Sequence, residues 1–416
     1  MRGLSNAAVL SAWRSRAFRR FFMANFLAVA GRSLQMTVIG YIVFELTGSN
    51  FLLGLVSFMQ MAPVLVMAPL VGVLVDHFER RRILAIIYAV KATALCLLGV
   101  LSLAGMLSVP AIAITVVIIG TAGAFSFPAR SALVPSLVER SALQSAIASN
   151  SILGTAARIS APAIGGLALD VAGISTALLL RVGLYVPAAL LILLVPLQSA
   201  VAVSTARAPF NPERAVRTFT GDLRDVRDYI RENLRLRGAL VNDIVPFMFG
   251  MSYVALLPAI AITTLDGGAS TLGLLHGVSG VGALFGTLTT GILSGRGKRG
   301  RVVWVSMFGW GLAMLSVAAG GSYSTIFPGL FFVGYFQALY IVQNDTLVQM
   351  FTIDRFRGRV IAAQSMINGL TTIGFLEIGF IAETVGLSTA LAVHGIALVA
   401  MGLITVLFRG QMRTLD

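Results

Sequence analysis

The chain has 416 residues, of which 57% are apolar and only 12% are charged. Soluble domains carry about a quarter charged residues, so this composition excludes an ordinary water-soluble globular protein. The formal net charge is +14. Such a charge could indicate a nucleic-acid-binding surface, but here the basic residues lie in the segments between long apolar runs, where they act as anchors of membrane topology.

Twelve apolar segments follow one another along nearly the whole length. Each is long enough to cross ~30 Å of hydrocarbon as a helix of about 20 residues, and a backbone in lipid must satisfy its polar groups internally. We therefore predict an all-α membrane protein with twelve transmembrane helices, called spans 1 to 12. The predicted spans are 21–45, 51–74, 83–104, 110–130, 143–168, 174–197, 238–263, 271–294, 302–320, 325–347, 360–384 and 388–408.

The placement of basic residues predicts the orientation. On the twelve-span arrangement, 27 of the 31 Lys and Arg residues fall on one side of the membrane, Arg130 at the very end of span 4 among them, and the other four lie within spans. The opposite loops have no basic residue and carry Asp170, Asp266 and Glu383. Because positive loops stay inside, we expect a multi-pass protein of a bacterial inner membrane with both termini in the cytoplasm.

The chain also repeats itself. The segment from Gly72 to Arg82 recurs 219 residues later as Gly291 to Arg301, although Gly295 replaces the acid Asp76. A second match, offset by 213–214 residues, runs through spans 4–5 and 10–11. We predict two parallel six-span halves, 1–197 and 238–416, related by a pseudo-twofold axis along the membrane normal.

A polar linker, 198–237, joins the two halves. Its segment 222–235 alternates in charge and places Val226, Tyr229 and Ile230 at helical spacing. This pattern predicts an amphipathic helix on the cytoplasmic membrane surface. The helix serves either as a tether between the halves or as a regulatory or partner-binding element.

The segment after span 2 resembles a signature of the major facilitator superfamily, and the resemblance covers essentially the whole chain. The family pattern reads Gly-x-x-x-Asp-Arg/Lys-x-Gly-Arg-Arg/Lys. Gly72, Asp76, Arg80 and Arg81 match it, whereas His77 and Glu79 depart from it. The resemblance implies two six-helix bundles and a loop that latches them in the outward-facing state.

The resemblance assigns the latch to particular residues. In the family the Asp bonds a helix N-terminus of the second half, where a carboxylate is favoured. We therefore expect Asp76 near the start of span 11, around 358–360, with Arg80 and Arg81 pairing with Glu139 or Asp345. Asp345 is accordingly a candidate gating residue. The alternative is that these charges act only as topology signals.

A second signature lies in span 5, from Ala157 to Gly166. It looks like the Gly-x-x-x-Gly-Pro-x-x-Gly-Gly motif of drug/proton antiporters, with Ala157 and Ala161 replacing the first two glycines. Small residues allow helices to pack closely, and Pro162 is expected to kink the span. The resemblance implies export; generic helix packing is the alternative.

Three further segments resemble the bacterial subfamily that includes enterobactin exporters and macrolide efflux proteins. They are 41–49 after span 1, 127–135 after span 4 and 355–360 before span 11. One departure concerns charge. Where the subfamily has Gly-Asp in span 1, this chain has Gly31-Arg32, so a carboxylate has become a cation.

Charged residues within spans cost about 2.5–3.5 kcal/mol on insertion scales, so they usually face a cavity. The first half has Arg32, Lys91, Arg158 and Arg181, and the second has Asp243, Asp345 and Glu377. This distribution predicts a cavity with a cationic and an acidic wall for an anionic or zwitterionic substrate. Arg32 and Arg158 are the candidate anion contacts, and Glu377 and Asp243 the candidate proton carriers. Structural ion pairing across the interface is the alternative.

Spans 1, 4, 7 and 10 line the cavity in the family that the chain resembles. Their uncharged candidates for substrate binding are Gln35, Phe125, Tyr253, Gln337 and Tyr340. A pocket with aromatic rings and a few amides suits an aromatic or amphipathic organic molecule.

The chain lacks the sequence motifs of ATP-driven transport and of metal binding. No Gly-x-x-x-x-Gly-Lys-Ser/Thr segment and no Cys/His cluster of metal-ligand spacing occurs, so we expect neither an enzyme nor a cofactor nor a metal site. We expect a monomeric secondary transporter that exports a siderophore-like or other anionic or amphipathic molecule, or a drug, in exchange for protons. Broad multidrug or macrolide efflux, an importer or uniporter of the same fold, and a non-transporting receptor are the alternatives.

The latch assignment predicts the behaviour of Asp76→Asn. Loss of the carboxylate charge should impair transport while folded protein still reaches the membrane, because the helix N-terminus loses its anionic partner. Substrate export and the amount of membrane-inserted protein are measured together. Export equal to wild type would exclude the latch role.

Overall fold

A computed structural model describes residues 11–196, 225–293 and 299–407. Within these ranges the chain is helical and has no β-strand, as expected when an apolar surrounding leaves backbone groups no other partner. The helices are α1 (Arg16–Thr47), α2 (Asn50–His77), α3 (Arg80–Leu103), α4 (Val109–Ala124), α5 (Ser126–Leu133), α6 (Leu143–Leu193), α7 (225–232), α8 (Leu234–Val245), α9 (Ala269–Leu293), α10 (Arg299–Ala319), α11 (Tyr323–Met350), α12 (Arg357–Asn368), α13 (Thr371–Val385) and α14 (Leu387–Leu407).

Eleven continuous helical stretches in the described ranges are long and apolar enough to cross a membrane. The longest, α6, has 51 residues and would extend about 75 Å at 1.5 Å per residue, far beyond one bilayer. It is broken at Gly173, where φ is 77° and ψ is 175°. Such a φ favours glycine. The break therefore separates 143–172 from 174–193, where the sequence predicts spans 5 and 6.

The chain divides into two compact units. Unit 1 comprises residues up to Ile39 and Ala62–Val216, and unit 2 comprises Gly40–Met61 and the residues from Arg217 onwards. One boundary between the units falls between Val216 and Arg217, and two further boundaries assign the end of α1 and the start of α2 to unit 2. This second feature was not predicted from the repeat.

In unit 1, α3 packs against α6. Gly99 of α3 lies so close to α6 that a Cβ on it would be 3.0 Å from the side chain of Leu179. One turn along, the hydroxyls of Ser102 and Ser175 hydrogen-bond at 2.8 Å. The contact therefore joins the predicted spans 3 and 6.

In unit 2, α10 packs against α14 and α11, and α9 packs against α11. Because α10 and α14 are the predicted spans 9 and 12, this pairing is equivalent to that of spans 3 and 6 in unit 1. The indole of Trp310 is fully buried in the core of unit 2. Gly282 and Gly286 of α9 lie against the backbone carbonyls of Phe331 and Tyr335, where a Cβ would overlap the oxygen, so this glycine face serves close packing.

Residues 40–61 join unit 2 through the start of α2. The Glu383 carboxylate accepts hydrogen bonds from the backbone N–H groups of Asn50 at 2.7 Å and Phe51 at 3.1 Å. A carboxylate at this position satisfies two donors that the first helical turn leaves open. One turn further, Gly54 lies against the carbonyl of Phe375 and the backbone of Gly379.

The helix α7 from the linker docks on unit 2. Val226 is buried, and Tyr229 and Ile230 are half-buried against the same cluster. The Tyr229 ring stacks on that of Phe356 with centroids 4.4 Å apart, and its hydroxyl donates to the Phe351 carbonyl at 3.2 Å. The apolar face that the sequence pattern predicts therefore packs against protein. Residues 222–224 of the predicted segment lie outside the described ranges.

Two glycine-to-alanine substitutions should have different effects on stability, one destabilising and the other neutral or stabilising. Gly54→Ala places a methyl group against the Phe375 carbonyl, and overpacking of this kind costs about 1–3 kcal/mol. Gly183→Ala fills open space on exposed helix α6 and should be neutral or stabilise by up to about 1 kcal/mol. The midpoint of thermal unfolding in detergent measures both variants. Equal shifts in the two would contradict the close approach at Gly54.

Candidate functional site

Unit 1 contains a cavity of about 530 Å³ between α1, α5 and the first part of α6. Its polar lining consists of Asn25, Arg32, Arg130, Ser131 and Asn150, and the remainder is mostly apolar. Arg32, the predicted anion contact, is exposed on this cavity. The cavity lies within the range of 300–1,000 Å³ that holds small organic ligands.

Two more cations are buried in unit 1. Lys91 of α3 is 4% exposed and Arg181 of α6 is 0% exposed. The Nη2 group of Arg181 donates to the Gln35 side-chain oxygen at 2.8 Å, and the Tyr185 hydroxyl is a further polar neighbour of its guanidinium. The Lys91 ammonium lies 5.8 Å from the ring centroid of Tyr185, a cation–π distance.

These cations form one electrostatic cluster. The charged neighbours of Lys91 are Arg32, Arg130 and Arg181. In the part of the chain that the structure describes, no ion pair involves Lys91, Arg130 or Arg181. Buried charge without a counter-charge is costly. An anion that enters from outside the chain would therefore be stabilised at this cluster.

The other predicted residues of unit 1 lie in different places. Gln35 is 2% exposed and accepts the bond from Arg181, so it supports a cation inside the unit. Phe125 is half-buried at the junction of α4 and α5. The structure describes only the backbone of Gly72, Asp76 and Arg158, which is helical.

The arginines after α2 make contacts within unit 1. Arg81 pairs with Glu79 at 2.8 Å and donates to the carbonyls of Leu193 and Val195. Arg80 donates to the carbonyl of Ala132 at 2.8 Å. The first turn of α3 is thereby held to α6 and to the end of α5, because guanidinium groups can satisfy backbone carbonyls at helix ends.

Unit 2 contains a buried carboxylate, Asp243 of α8, which is 1% exposed. Its Oδ1 accepts hydrogen bonds from the Tyr340 hydroxyl at 3.0 Å and the Asn344 amide at 2.7 Å. Its Oδ2 accepts from the Gln364 amide at 3.0 Å. Among the described residues its partners are therefore neutral donors, not a cation.

Gln364 links this carboxylate to a second one. Its Nε2 group also donates to Asp345 Oδ1 at 2.9 Å, so one amide bridges two acids on α8 and α11. The helix that carries Asp243 ends at Val245, and a π-helical turn follows at Pro246–Gly250. Such turns often accompany functional sites because they reorient the adjoining side chains.

The remaining candidates of unit 2 are mostly internal. Tyr340 is fully buried and serves the Asp243 network. Tyr253 is 2% exposed and shares a hydrogen bond of 2.9 Å with Ser279. Gln337 contacts the sulfur of Met251. Glu377 is half-buried on α13, and its Oε2 atom has no hydrogen-bond partner among the described residues.

Four polar residues of these sites were missed in the sequence. Arg130 was counted among the basic loop residues that set the topology, which concealed its position on the cavity. Asn25, Asn150 and Gln364 are uncharged and lie in or beside apolar spans. An amide in an apolar span costs free energy unless it finds a hydrogen-bond partner. This cost is the feature of the sequence that could have marked the three residues as members of a polar site.

The fold defines a multi-pass helical protein of the membrane. The family model described as "Transmembrane secretion effector" matches residues 7–415. The chain therefore belongs to the transmembrane secretion effectors of the major facilitator superfamily, and the predicted resemblance is confirmed.

Several known transporters are similar to the chain. The staphyloferrin A transporter of Staphylococcus aureus is 24% identical over 389 residues, which cover 92% of this chain and 94% of that protein. The enterobactin exporter EntS of Salmonella choleraesuis is 25% identical over 411 residues, covering 95% and 93%. The crystal structure of the nucleoside transporter NupG matches with a TM-score of 0.72 at 14% identity, covering 94% and 98%; this last likeness concerns the fold alone.

Proposed function

We propose that the chain exports a siderophore-like organic anion from a bacterial cell in exchange for protons. It would act by alternating access in the inner membrane, with both termini in the cytoplasm. The observation that carries the proposal is the cluster of Arg32, Lys91, Arg130 and Arg181 in unit 1. Three of these cations have no ion-pair partner among the described residues, and two of the four line the cavity.

The cluster favours an anion over a cationic drug. Like charges that are close together repel one another, and the repulsion is strong where water is excluded. A bound anion relieves this repulsion, whereas a bound cation increases it. The names of two relatives agree with this preference, because staphyloferrin A and enterobactin are siderophores.

Asp243 is the proposed proton carrier because its surroundings suit both the charged and the neutral form. The Tyr340 hydroxyl lies 2.8 Å from the Asn242 carbonyl and 3.0 Å from Asp243 Oδ1. A hydroxyl has one proton and two lone pairs. It can donate to the ionised carboxylate, or it can donate to the carbonyl while accepting the proton of the neutral acid.

Glu377 is the second candidate proton carrier. Its buried oxygen lacks the hydrogen bonds that Asp243 has, so nothing in the described residues prepares it for both forms. We therefore assign the primary role to Asp243. Asp345 shares the Gln364 amide with it, and protonation of one acid would reduce its repulsion with the other.

Arg32→Ala should reduce export of the anion at least tenfold, because the substrate loses a charge-assisted contact on the cavity. Siderophore in the culture supernatant is measured by mass spectrometry, and ethidium export is measured in the same cells as the cationic comparison. Arg16→Gln is the matched control, since Arg16 is exposed at the start of α1. Equal export of the siderophore by both variants would exclude Arg32 as the anion contact, and selective loss of ethidium export would favour multidrug efflux.

Asp243→Asn should abolish transport driven by a pH gradient while leaving substrate exchange intact. The amide keeps most of the packing but cannot bind and release a proton at physiological pH. Proteoliposomes with an imposed pH gradient measure the first activity, and equilibrium exchange without a gradient measures the second. Glu377→Gln is the comparison variant and should retain gradient-driven transport. Gradient-driven transport by Asp243→Asn would refute the assignment of Asp243 as the proton carrier. Movement of the substrate in the same direction as the protons would indicate an importer.

A further inference from the structure

The guanidinium of Arg130 is held on the cavity of unit 1 by a relay of two asparagines. We propose that Arg130 binds a carboxylate of the transported molecule, and that Asn25 and Asn150 are positioning residues that orient its guanidinium. The inference rests on the proposed export of an anion. It adds the group that is recognised and the residue that recognises it.

The relay has a single consistent direction. Arg130 Nη1 donates to Asn25 Oδ1 at 2.9 Å, Asn25 Nδ2 donates to Asn150 Oδ1 at 3.0 Å, and Asn150 Nδ2 donates to the Ala146 carbonyl at 3.2 Å. Because arginine can only donate, the Asn25 oxygen must face it, and the two amide orientations follow in turn. Arg130 Nε also donates to the Ser126 carbonyl at 3.2 Å. The guanidinium plane is thus set from α1, α5 and α6.

One edge of the guanidinium remains for a ligand. Nε and Nη1 have the partners just given, whereas Nη2 has no acceptor among the described residues, and Arg130 lines the cavity. Arg81 shows the contrast within the same unit. Its guanidinium is engaged by the Glu79 carboxylate and two backbone carbonyls, as expected of an arginine with a structural role.

The chemistry of the cavity indicates the class of ligand. Both N–H groups of Nη2 and the second N–H group of Nη1 remain unused, and charged guanidinium donors of this kind favour a carboxylate as acceptor. The same cavity holds Arg32, so a molecule with two separated anionic groups could engage both arginines. Its apolar lining includes Phe21 and Phe127, which suit the carbon skeleton of the ligand. We therefore infer an organic polycarboxylate of a size that fits about 530 Å³.

The test uses two dyes that share a xanthene ring system but differ in charge. Binding of 5-carboxyfluorescein, an anion, and rhodamine 123, a cation, is measured by fluorescence anisotropy on the full chain in nanodiscs of phosphatidylcholine. The variants are Arg32→Ala, Arg130→Gln, Arg130→Lys, Asn25→Leu and the double variant Asn25→Leu/Arg130→Gln, with Arg16→Gln as the control. Gel filtration verifies the folded state, and Arg130→Lys retains the charge if the other variants fail to fold.

Arg130→Gln should weaken 5-carboxyfluorescein binding at least tenfold. Arg130→Lys and Asn25→Leu should each weaken it several-fold. The lysine replaces the planar guanidinium with a point charge, and the leucine leaves the guanidinium without the side chain that orients it. The double variant should bind no more weakly than Arg130→Gln, since the asparagine acts only through the arginine. Rhodamine 123 binding should not weaken in any variant.

The possible results separate the role of Arg130 from the proposed export of an anion. Normal binding of 5-carboxyfluorescein by Arg130→Gln and Arg130→Lys, with loss in Arg32→Ala, would overturn the role of Arg130 and leave the proposed export of an anion standing. Failure of the wild type to bind the anion would overturn both. Competition of the dye with phosphatidylglycerol added to the nanodiscs would overturn the inference by identifying the arginine as a lipid-headgroup site. Additive effects of Asn25→Leu and Arg130→Gln would overturn the positioning role of Asn25.

Discussion

Hydrogen bonding of the backbone in an apolar surrounding is the constraint on which this structure depends. It makes each long apolar run helical, and it leaves close packing of helices as the main source of specific contacts. The glycines of α9 against α11, and Gly54 against α13, provide that close approach. Where α6 is broken, at Gly173, the chain uses the residue type that adopts a positive φ most readily.

The same apolar surrounding makes every buried charge expensive, and the two units treat their charges differently. Unit 1 buries Lys91 and Arg181 beside other cations, without an acid to neutralise them among the described residues. Unit 2 buries Asp243 among neutral donors, which permit it to be ionised or protonated. The proton-coupled exporter proposed above needs a place for its substrate and a place for its coupling ion. The separation of basic and acidic groups between the units provides for both in the proposed mechanism.

The functional residues differ in how visible they were before the structure was known. Arg32 and Asp243 stand out because a single charge in an apolar run is conspicuous. Arg130 was hidden because it resembles the basic residues that set topology. Tyr340 and Gln35, the predicted substrate contacts, lie on α11 and α1. In the structure Tyr340 bonds Asp243, which is 97 positions away along the chain. Gln35 bonds Arg181, which is 146 positions away.

By itself the sequence determined the helical membrane class, the family, the internal repeat and the sign of charge in each half. All of these depend on local composition and on spacing along the chain, which a sequence displays directly. Only the tertiary structure decided which polar groups meet. The relay from Arg130 through Asn25 to Asn150, the amide of Gln364 between two acids and the capping of α2 by Glu383 all join distant segments. Such contacts depend on how the helices are rotated and packed, and the hydrophobic period of a nearly uniformly apolar helix says little about its rotation.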